Sequence, residues 1–249
     1  MALTADIKKK LSHFTLDVCL SCPGGNILSI VGPSGSGKTT ILRIIAGLDA
    51  PDEGIITCGE ETWVSTRDRI ALSTQRRRLS MVFQDFALFP HLNVLKNVCF
   101  AARDRSFAEE LMRRFGIWHL RASRPQSISG GERQRTAICQ ALAREPEVLL
   151  LDEPFSALDP LTRRKLRTDL AQMKDELRIP IIHVTHDIRE ALFLGDEIAP
   201  VVRGKVFHKW LLQFMLTVRD AGLCQDRPAG GSEEEVELEL YTTRKGYRR

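Results

Sequence analysis

Short apolar runs recur along the chain, and most of them end at glycine or at polar residues. ILSIV at 27–31 stops at a glycine, EVLLLDEP at 147–154 stops at two acids and a proline, and IPIIHVTHD at 179–187 ends in polar groups. Runs of this length that are bounded by turn or polar residues predict buried strands. LSMVFQ at 79–84 is predicted as a strand by the same criterion.

Apolar residues between these runs recur at helical spacing. Asp159-Pro160 suits the start of one helix, because proline is favoured in the first turn. Strands that alternate with helices predict an α/β fold with parallel βαβ units. Residues 90–130 are mostly helical by comparison, so they are predicted to form a distinct lobe. The predicted helical stretches are 38–47, 106–115, 132–144 and 161–178.

Composition places the chain among ordinary globular proteins. It has 249 residues, of which 43% are hydrophobic and 27% are charged, which allows one large α/β domain or one domain with a small satellite. A net charge of +4 does not indicate nucleic-acid binding. The densest basic run, Arg76 to Arg78, indicates a solvated surface. The six cysteines are scattered, which suits a reducing compartment.

The two ends of the chain carry little functional signal. Charges interrupt the N-terminal stretch, so we expect no signal peptide. No apolar run approaches the roughly 20 residues needed to cross a bilayer, so a role at a membrane would need another subunit to cross it. From about residue 222 the sequence is polar and uneven, which predicts a loosely ordered tail.

A glycine-rich loop follows the first apolar run. GPSGSGKTT at 32–40 matches the pattern G-x-x-x-x-G-K-[ST]. Glycines let backbone N–H groups curl around a triphosphate, the lysine supplies a charge to the β- and γ-phosphates, and the Thr39 hydroxyl suits Mg²⁺. The loop alone does not choose among kinases, GTPases, helicases and transport ATPases. The predicted nucleotide-binding residues are Gly32, Pro33, Ser34, Gly35, Ser36, Gly37, Lys38, Thr39 and Thr40.

Polar residues follow three of the other predicted strands. Asp152 at a strand end is a predicted Mg²⁺ ligand, and Glu153 is predicted to orient a water against the γ-phosphate. Neighbouring strand side chains point to opposite faces, so the two acids are expected to have different roles. His186 is a candidate for the γ-phosphate or the attacking water, whereas His183 is expected to be a packed residue. The Gln84 amide is a candidate ligand for Mg²⁺ or water.

A second pair of glycines lies in SISGGERQR at 127–135. Ser129 and Glu132 form an S-x-x-E capping box, which predicts a helix start. Gly130 and Gly131 are not explained by capping, because glycine is costly inside a helix. They expose N–H groups beside a positive helix end, which predicts a second anion site. Since this chain has one phosphate loop, such a site makes sense if it covers a nucleotide held by another copy.

The SISGGERQR segment resembles the signature motif of ATP-binding-cassette ATPases, usually written LSGGQ. The phosphate loop, Gln84 as the Q-loop, the signature, LLLDEP as the Walker B strand and His186 as the switch histidine follow in that family's order. The resemblance spans roughly residues 1–207 and departs at Ile128 and Glu132. It implies a P-loop NTPase fold with a RecA-like parallel core, a small antiparallel β region and a helical subdomain at about 90–140. Residues 208–249 form a divergent C-terminal segment.

The resemblance also implies roles for residues. Glu153 and His186 would be catalytic, with Mg²⁺ on Thr39, Gln84 and Asp152. Phe14 is the best candidate for stacking on adenine, with a core position as the equal alternative. Two copies would clamp ATP head to tail, each phosphate loop facing the other copy's signature. The implied signature residues are Ser129, Gly130, Gly131 and Glu132, and the implied D-loop is Ser156, Ala157, Leu158 and Asp159.

The sequence after the Q-loop, DFALFPHLNVLKNV at 85–98, is similar to text in bacterial importer ATPases. There it receives membrane permease subunits, so docking is expected near Phe86–Asn97, with a solute-binding protein as an indirect partner. The molybdate, tungstate and sulfate importer group is the most similar, and iron, polyamine and sugar importers are alternatives. The implied location is the cytoplasmic face of a bacterial inner membrane, peripherally bound. Rival hypotheses are a non-transport cassette ATPase and a nucleotide-gated binding module with little turnover.

Overall fold

The computed structural model describes residues 1–156 and 158–207, and one compact unit covers Met1–Val206. Eleven strands and six α-helices are assigned in this part of the chain. The strands are β1 (Ala2–Lys10), β2 (Thr15–Pro23), β3 (Ile27–Val31), β4 (Glu53–Cys58), β5 (Glu61–Ser65), β6 (Ile70–Ala71), β7 (Leu79–Val82), β8 (Val148–Asp152), β9 (Ile181–Thr185), β10 (Glu197–Val202) and β11 (Lys205–Val206). The helices are α1 (Lys38–Ala46), α2 (Val94–Val98), α3 (Arg105–Arg114), α4 (Gly130–Ala143), α5 (Pro160–Leu177) and α6 (Ile188–Leu194).

The strands follow one another in space in the order β6-β5-β4-β1-β2-β11-β10-β3-β9-β8-β7. The half from β10 to β7 is parallel, as strands separated by helices require. The half from β6 to β2 is antiparallel. The parallel core, the antiparallel region and the helical segment between β7 and β8 agree with the predicted fold class. The carboxyl ends of β3, β8 and β9 therefore meet at one edge of the sheet.

The parallel sheet separates two clusters of buried side chains. One cluster joins α1 to residues such as Leu28, Ile30 and Val184, and it continues into the antiparallel region. The other joins the opposite faces of the same strands, including Ile27 and Ile181, to α4 and α5. Strands buried on both faces read as continuous apolar runs, which is why the sequence revealed them.

The antiparallel strands were harder to recognise in the sequence. In β1, Leu3, Ala5 and Ile7 are buried, while lysines and other polar residues alternate with them on the exposed face. Alternation of this kind is typical of a half-buried strand, but the charges interrupt any apolar run. The strand prediction for 79–84 was two residues too long, because β7 ends at Val82 and Gln84 lies in the turn that follows.

The basic run Arg76 to Arg78 is not uniformly solvated, so that prediction was wrong for Arg77. The Arg77 side chain is 3% exposed. Its guanidinium donates hydrogen bonds to the carbonyl oxygens of Ile44 and Ile45, at 2.9 and 2.6 Å, and to that of Leu72 at 3.0 Å. The first two carbonyls belong to the last turn of α1, whose orphan acceptors need such donors.

The helical segment between β7 and β8 contains α2, α3, α4 and three short 3-10 turns. Its helices begin at side-chain caps: Asn93 accepts from the Lys96 amide and Asp104 accepts from the Ser106 amide. None of the helices in the described residues has the length and apolarity that crossing a membrane requires. The predicted C-terminal segment, 208–249, lies outside the described residues.

Candidate nucleotide site

The phosphate loop connects β3 to α1, as its sequence predicted. Gly35 and Gly37 have positive φ angles of 76° and 102°, which glycine adopts without strain. A Cβ on Gly32 would come within 2.0 Å of the Val201 carbonyl oxygen, so glycine is required there by close backbone approach. No side chain caps the start of α1 at Gly37. The N–H groups of this helix start therefore remain available to an anion.

Lys38 folds back across the loop that precedes it. Its Nζ donates hydrogen bonds of 2.9 Å to the carbonyl oxygens of Gly32 and Pro33. Burial lowers the pKa of Lys38, while Glu153 and Asp152 oppose that shift. The ammonium thus lies over the loop. When a nucleotide is bound, its phosphates would replace the two carbonyl oxygens as the hydrogen-bond acceptors of the ammonium.

Thr39 and Asp152 place two oxygen ligands side by side. The Thr39 hydroxyl donates to Asp152 Oδ1 at 3.2 Å, linking the start of α1 to the end of β8. Burial is the main reason that the pKa of Asp152 is raised, and the charge of Glu153 adds to it. A buried carboxylate whose charge is penalised, next to a hydroxyl, is a donor set that fits Mg²⁺.

Glu153 and His186, which follow β8 and β9, lie next to each other at the same sheet edge. His186 Nδ1 lies 3.1 Å from Glu153 Oε1. Glu153 follows the end of β8 with a φ of 47°, a conformation that costs a non-glycine residue roughly 1–3 kcal/mol. Its amide donates to the Val184 carbonyl oxygen at 3.0 Å, which fixes this turn against β9. The two adjacent acids therefore have different partners, because the backbone turns between them.

Gln84 and Phe14 are two further predicted site residues. Gln84 is exposed, and no hydrogen bond joins its side chain to another site residue in the described part of the chain. Phe14 precedes β2, and its ring lies about 3.5 Å from where a Cβ on Gly37 would be. The ring is half-buried between Gly37 and Gly204, so it packs against the phosphate loop and retains an exposed part.

The signature segment begins α4 with the predicted capping box. Glu132 donates its amide to Ser129 Oγ at 3.3 Å, and the Glu132 carboxylate accepts from the Ser129 amide at 2.8 Å. A Cβ on Gly131 would lie 2.8 Å from Leu158 Cδ2. The Leu158 side chain therefore packs against Gly131 within the same chain, a contact that the sequence did not reveal.

The predicted D-loop lies between Glu153 and α5. The Ser156 hydroxyl donates to the Glu153 carbonyl oxygen at 3.0 Å. Asp159 caps α5 by accepting from the amides of Leu161 and Thr162. Leu158 is buried against the signature helix as noted above, and Ala157 lies outside the described residues.

The predicted docking segment is partly buried. Phe86 and Leu88 pack against the core of the helical lobe. Phe89 instead contacts Phe100, with 4.3 Å between ring centroids, and Phe100 is 62% exposed. Asn97 is buried and holds Phe89 by accepting from its amide and donating to its carbonyl oxygen.

Comparison with known proteins gives a consistent result. A family model described as ABC transporter matches residues 16–156. The molybdenum import ATP-binding protein ModC of Mannheimia succiniciproducens is 41% identical over 208 residues, covering 83% of this chain and 59% of ModC. The sulfate/thiosulfate import ATP-binding protein CysA of Xanthomonas campestris is 42% identical over 214 residues, with 80% and 61% covered. The chain thus spans about three fifths of these two relatives.

Another relative and a solved structure match most of their own length. A probable sulfate/thiosulfate import ATP-binding protein CysA of Chlorella vulgaris is 40% identical, and the alignment covers 88% of it. The dimeric ATP-binding cassette MJ0796 bound to ADP and Pi superposes with a TM-score of 0.69 at 32% identity, covering 83% of this chain and 96% of that one. With the motifs at one sheet edge, these matches show that the chain belongs to the ABC transporter family.

Proposed function

We propose that this protein binds and hydrolyses ATP. The observation that carries the proposal is the convergence of five side chains at one sheet edge. Lys38 lies over the phosphate loop, Thr39 touches Asp152 at 3.2 Å, and Glu153 approaches His186 at 3.1 Å. This grouping supplies a charge for phosphate, oxygen ligands for a cation, and a carboxylate positioned to hold a water.

The proposed mechanism follows from those positions. The open N–H groups at the start of α1 and the Lys38 ammonium bind the β- and γ-phosphates. Thr39 and Asp152, with Gln84 as a further ligand, would hold Mg²⁺, which when bound neutralises charge on the phosphate oxygens. Glu153 orients the attacking water and accepts its proton, while His186 fixes the Glu153 carboxylate and contacts the γ-phosphate. Phe14 offers an aromatic surface beside the loop for the adenine.

We further propose that two copies close head to tail around two ATP molecules. The signature residues lie at the start of α4, whereas the phosphate loop lies at the start of α1. We therefore assign the nucleotide that they would contact to the phosphate loop of the other copy. These residues are Ser129, Gly130, Gly131 and Glu132. The solved cassette that this chain resembles is dimeric and bound to ADP and Pi. ATP then stabilises the closed dimer and hydrolysis releases it, a shift between two states that the ligand drives by differential affinity.

The coupled process is proposed to be solute import through separate permease subunits. The curated relatives are import ATP-binding proteins for molybdenum and for sulfate or thiosulfate, so an oxyanion is the proposed solute. Phe89 in the proposed docking segment near Phe86–Asn97 and the exposed Phe100, three residues beyond it, offer an apolar contact. The protein would then lie peripherally at the cytoplasmic face of a bacterial inner membrane, and a solute-binding protein would take part indirectly.

The solution mass of the Glu153→Gln variant tests the dimer proposal. We expect the mass to double when ATP is added without Mg²⁺, because ATP then bridges two copies and is not hydrolysed. Glu153→Gln with Ser129→Ala is the matched control, and it should bind ATP but stay monomeric. A control variant that dimerises as readily would show that the signature does not contact the nucleotide.

Turnover and co-purification separate the remaining hypotheses. ATP binding without hydrolysis by the unmodified chain would favour a nucleotide-gated binding module. Co-expression with the permease genes of an oxyanion importer should yield a membrane-bound complex, and Phe100→Asp should abolish it while leaving ATP binding intact. A complex that survives Phe100→Asp would contradict the docking proposal, and hydrolysis without any permease complex would favour a non-transport ATPase.

A further inference from the structure

His183 forms a polar network inside an otherwise apolar cluster beneath the site. His183 and Ser29 are fully buried, and Glu190 is 4% exposed. His183 Nε2 lies 2.8 Å from Glu190 Oε1, and its Nδ1 lies 3.1 Å from Ser29 Oγ. One ring nitrogen of His183 thus faces a carboxylate oxygen and the other faces a hydroxyl oxygen, and the tautomer decides which of them carries the hydrogen. Both ring nitrogens therefore have partners.

The three residues belong to elements that each lead to the site. Ser29 lies in β3, three residues before the phosphate loop, and it is the register partner of His183 in β9. Glu190 lies in the first turn of α6. The ring of Phe155, two residues beyond Glu153, lies 5.8 Å from the His183 ring. The network thus contacts the segments that carry Lys38, Glu153 and His186.

His186 lies in a short link between the two elements that the His183–Glu190 bond joins. β9 ends at Thr185 and α6 begins at Ile188. Inside the link, the Asp187 amide donates to Thr185 Oγ1 at 3.0 Å, and Asp187 Oδ1 accepts from the amides of Arg189 and Glu190 at 2.9 and 3.4 Å. The buried His183–Glu190 hydrogen bond joins the strand before this link to the helix after it, so it restrains the backbone at His186.

We propose that His183 and Glu190 form a clasp that positions His186 against Glu153. This inference rests on the proposed ATPase function and makes both clasp members positioning residues. Packing alone does not account for them, because a buried polar pair is often no more stabilising than apolar residues of similar volume. A fixed link does account for them, since a hydrogen-bonded buried pair specifies one geometry and the Glu153–His186 contact of 3.1 Å depends on that geometry.

The test replaces the whole pair, His183→Phe with Glu190→Met, and adds Ser29→Ala, because a polar member of the network left alone would be buried and unpaired. Phenylalanine keeps an aromatic ring beside Phe155, and methionine has a side chain of about the same length as that of Glu190. We expect ATP affinity within about twofold of the unmodified protein and kcat lowered by about 10- to 100-fold, as small misplacements of reacting groups produce. An unchanged kcat would overturn the proposal.

Two further measurements distinguish the clasp from general softening and from failure of the function. Ile181→Val changes the same strand without touching the clasp, and it should leave kcat unchanged. Hydrogen exchange at the His186 and Asp187 amides should accelerate about tenfold in the triple variant and not in Ile181→Val. If the unmodified protein hydrolyses no ATP, the proposed function fails, while unchanged exchange would refute the clasp by itself.

Discussion

Two glycine-containing segments each introduce a helix in this molecule, and they leave its first turn in different states. At α1 no side chain caps Gly37, and Lys38, Thr39 and Asp152 gather around the open N–H groups. At α4 the Ser129 hydroxyl is already bonded to Glu132. The first segment is therefore open to a phosphate, whereas the second satisfies itself. An anion brought by another copy would have to share Ser129 with its cap.

The largest expected effect is on the rate of hydrolysis at the first segment, and the substitution that causes it leaves both helix starts intact. Glu153→Gln should lower kcat by about 10²- to 10⁴-fold, because the amide cannot accept a proton from water. ATP affinity should stay unchanged, since Lys38 and the loop are untouched. Steady-state hydrolysis and equilibrium ATP binding measure the two quantities. Hydrolysis that persists would remove Glu153 from the mechanism.

The next effect removes the charge over the phosphate loop. Lys38→Ala should weaken ATP binding roughly 100-fold, because charge-assisted hydrogen bonds to the phosphates are lost. Titration calorimetry with ATP measures it. Lys165→Ala is the control, as Lys165 is an exposed lysine on α5 away from the loop. Normal ATP binding by the Lys38 variant would contradict the phosphate-loop assignment.

A comparison of Ser129→Ala with Glu132→Ala sharpens the contrast between the two segments. Each breaks the capping box and should lower the free energy of unfolding by about 1 kcal/mol. Ser129→Ala should lower turnover about tenfold more than Glu132→Ala, if the Ser129 hydroxyl meets the nucleotide of another copy. Denaturant unfolding and ATP hydrolysis measure the two effects.

Asp104→Ala controls for capping alone, because Asp104 caps α3 in the same lobe. It should cost similar stability and leave turnover unchanged. Equal turnover in the Ser129 and Glu132 variants would confine Ser129 to its structural role.

The smallest expected effect is a gain in stability. Burial raises the pKa of Asp152, so the ionised carboxylate is costly in the protein without Mg²⁺. Asp152→Asn should raise the free energy of unfolding by about 1 kcal/mol at neutral pH. The gain should shrink as pH falls through the raised pKa of Asp152 and should be absent below the ordinary pKa of an aspartate, where the carboxyl is neutral in both the folded and the unfolded state. A gain that persists at acid pH would point to a cause other than charge.

The sequence predicted four of the five strands of the parallel half, β3, β7, β8 and β9, because strands buried on both faces are continuous apolar runs. It also singled out Lys38, Asp152 and Glu153 as candidate site residues, since phosphate loops and strand-end acids are local patterns. The alternating strand β1 was not recognised, as its lysines hide a buried row of Leu3, Ala5 and Ile7.

Other features depend on contacts that are distant in the sequence. Leu158 packs against Gly131 although it lies 27 residues later in the chain. Glu190 and Ser29 give polar partners to His183 from α6 and β3. No periodicity in the chain marks such pairs, so the prediction that His183 is merely packed was correct about its burial and silent about its bonds.

The buried guanidinium of Arg77 has a consequence for the opposite end of α1. It places a full positive charge at the helix terminus where backbone carbonyls accumulate negative partial charge. α1 is therefore neutralised at one pole by the protein itself and left electropositive at the other. A triphosphate that approaches the start of α1 therefore meets a positive partial charge. The negative partial charge at the other end of α1 is offset by Arg77, which lies 33 residues after Ile44 in the sequence.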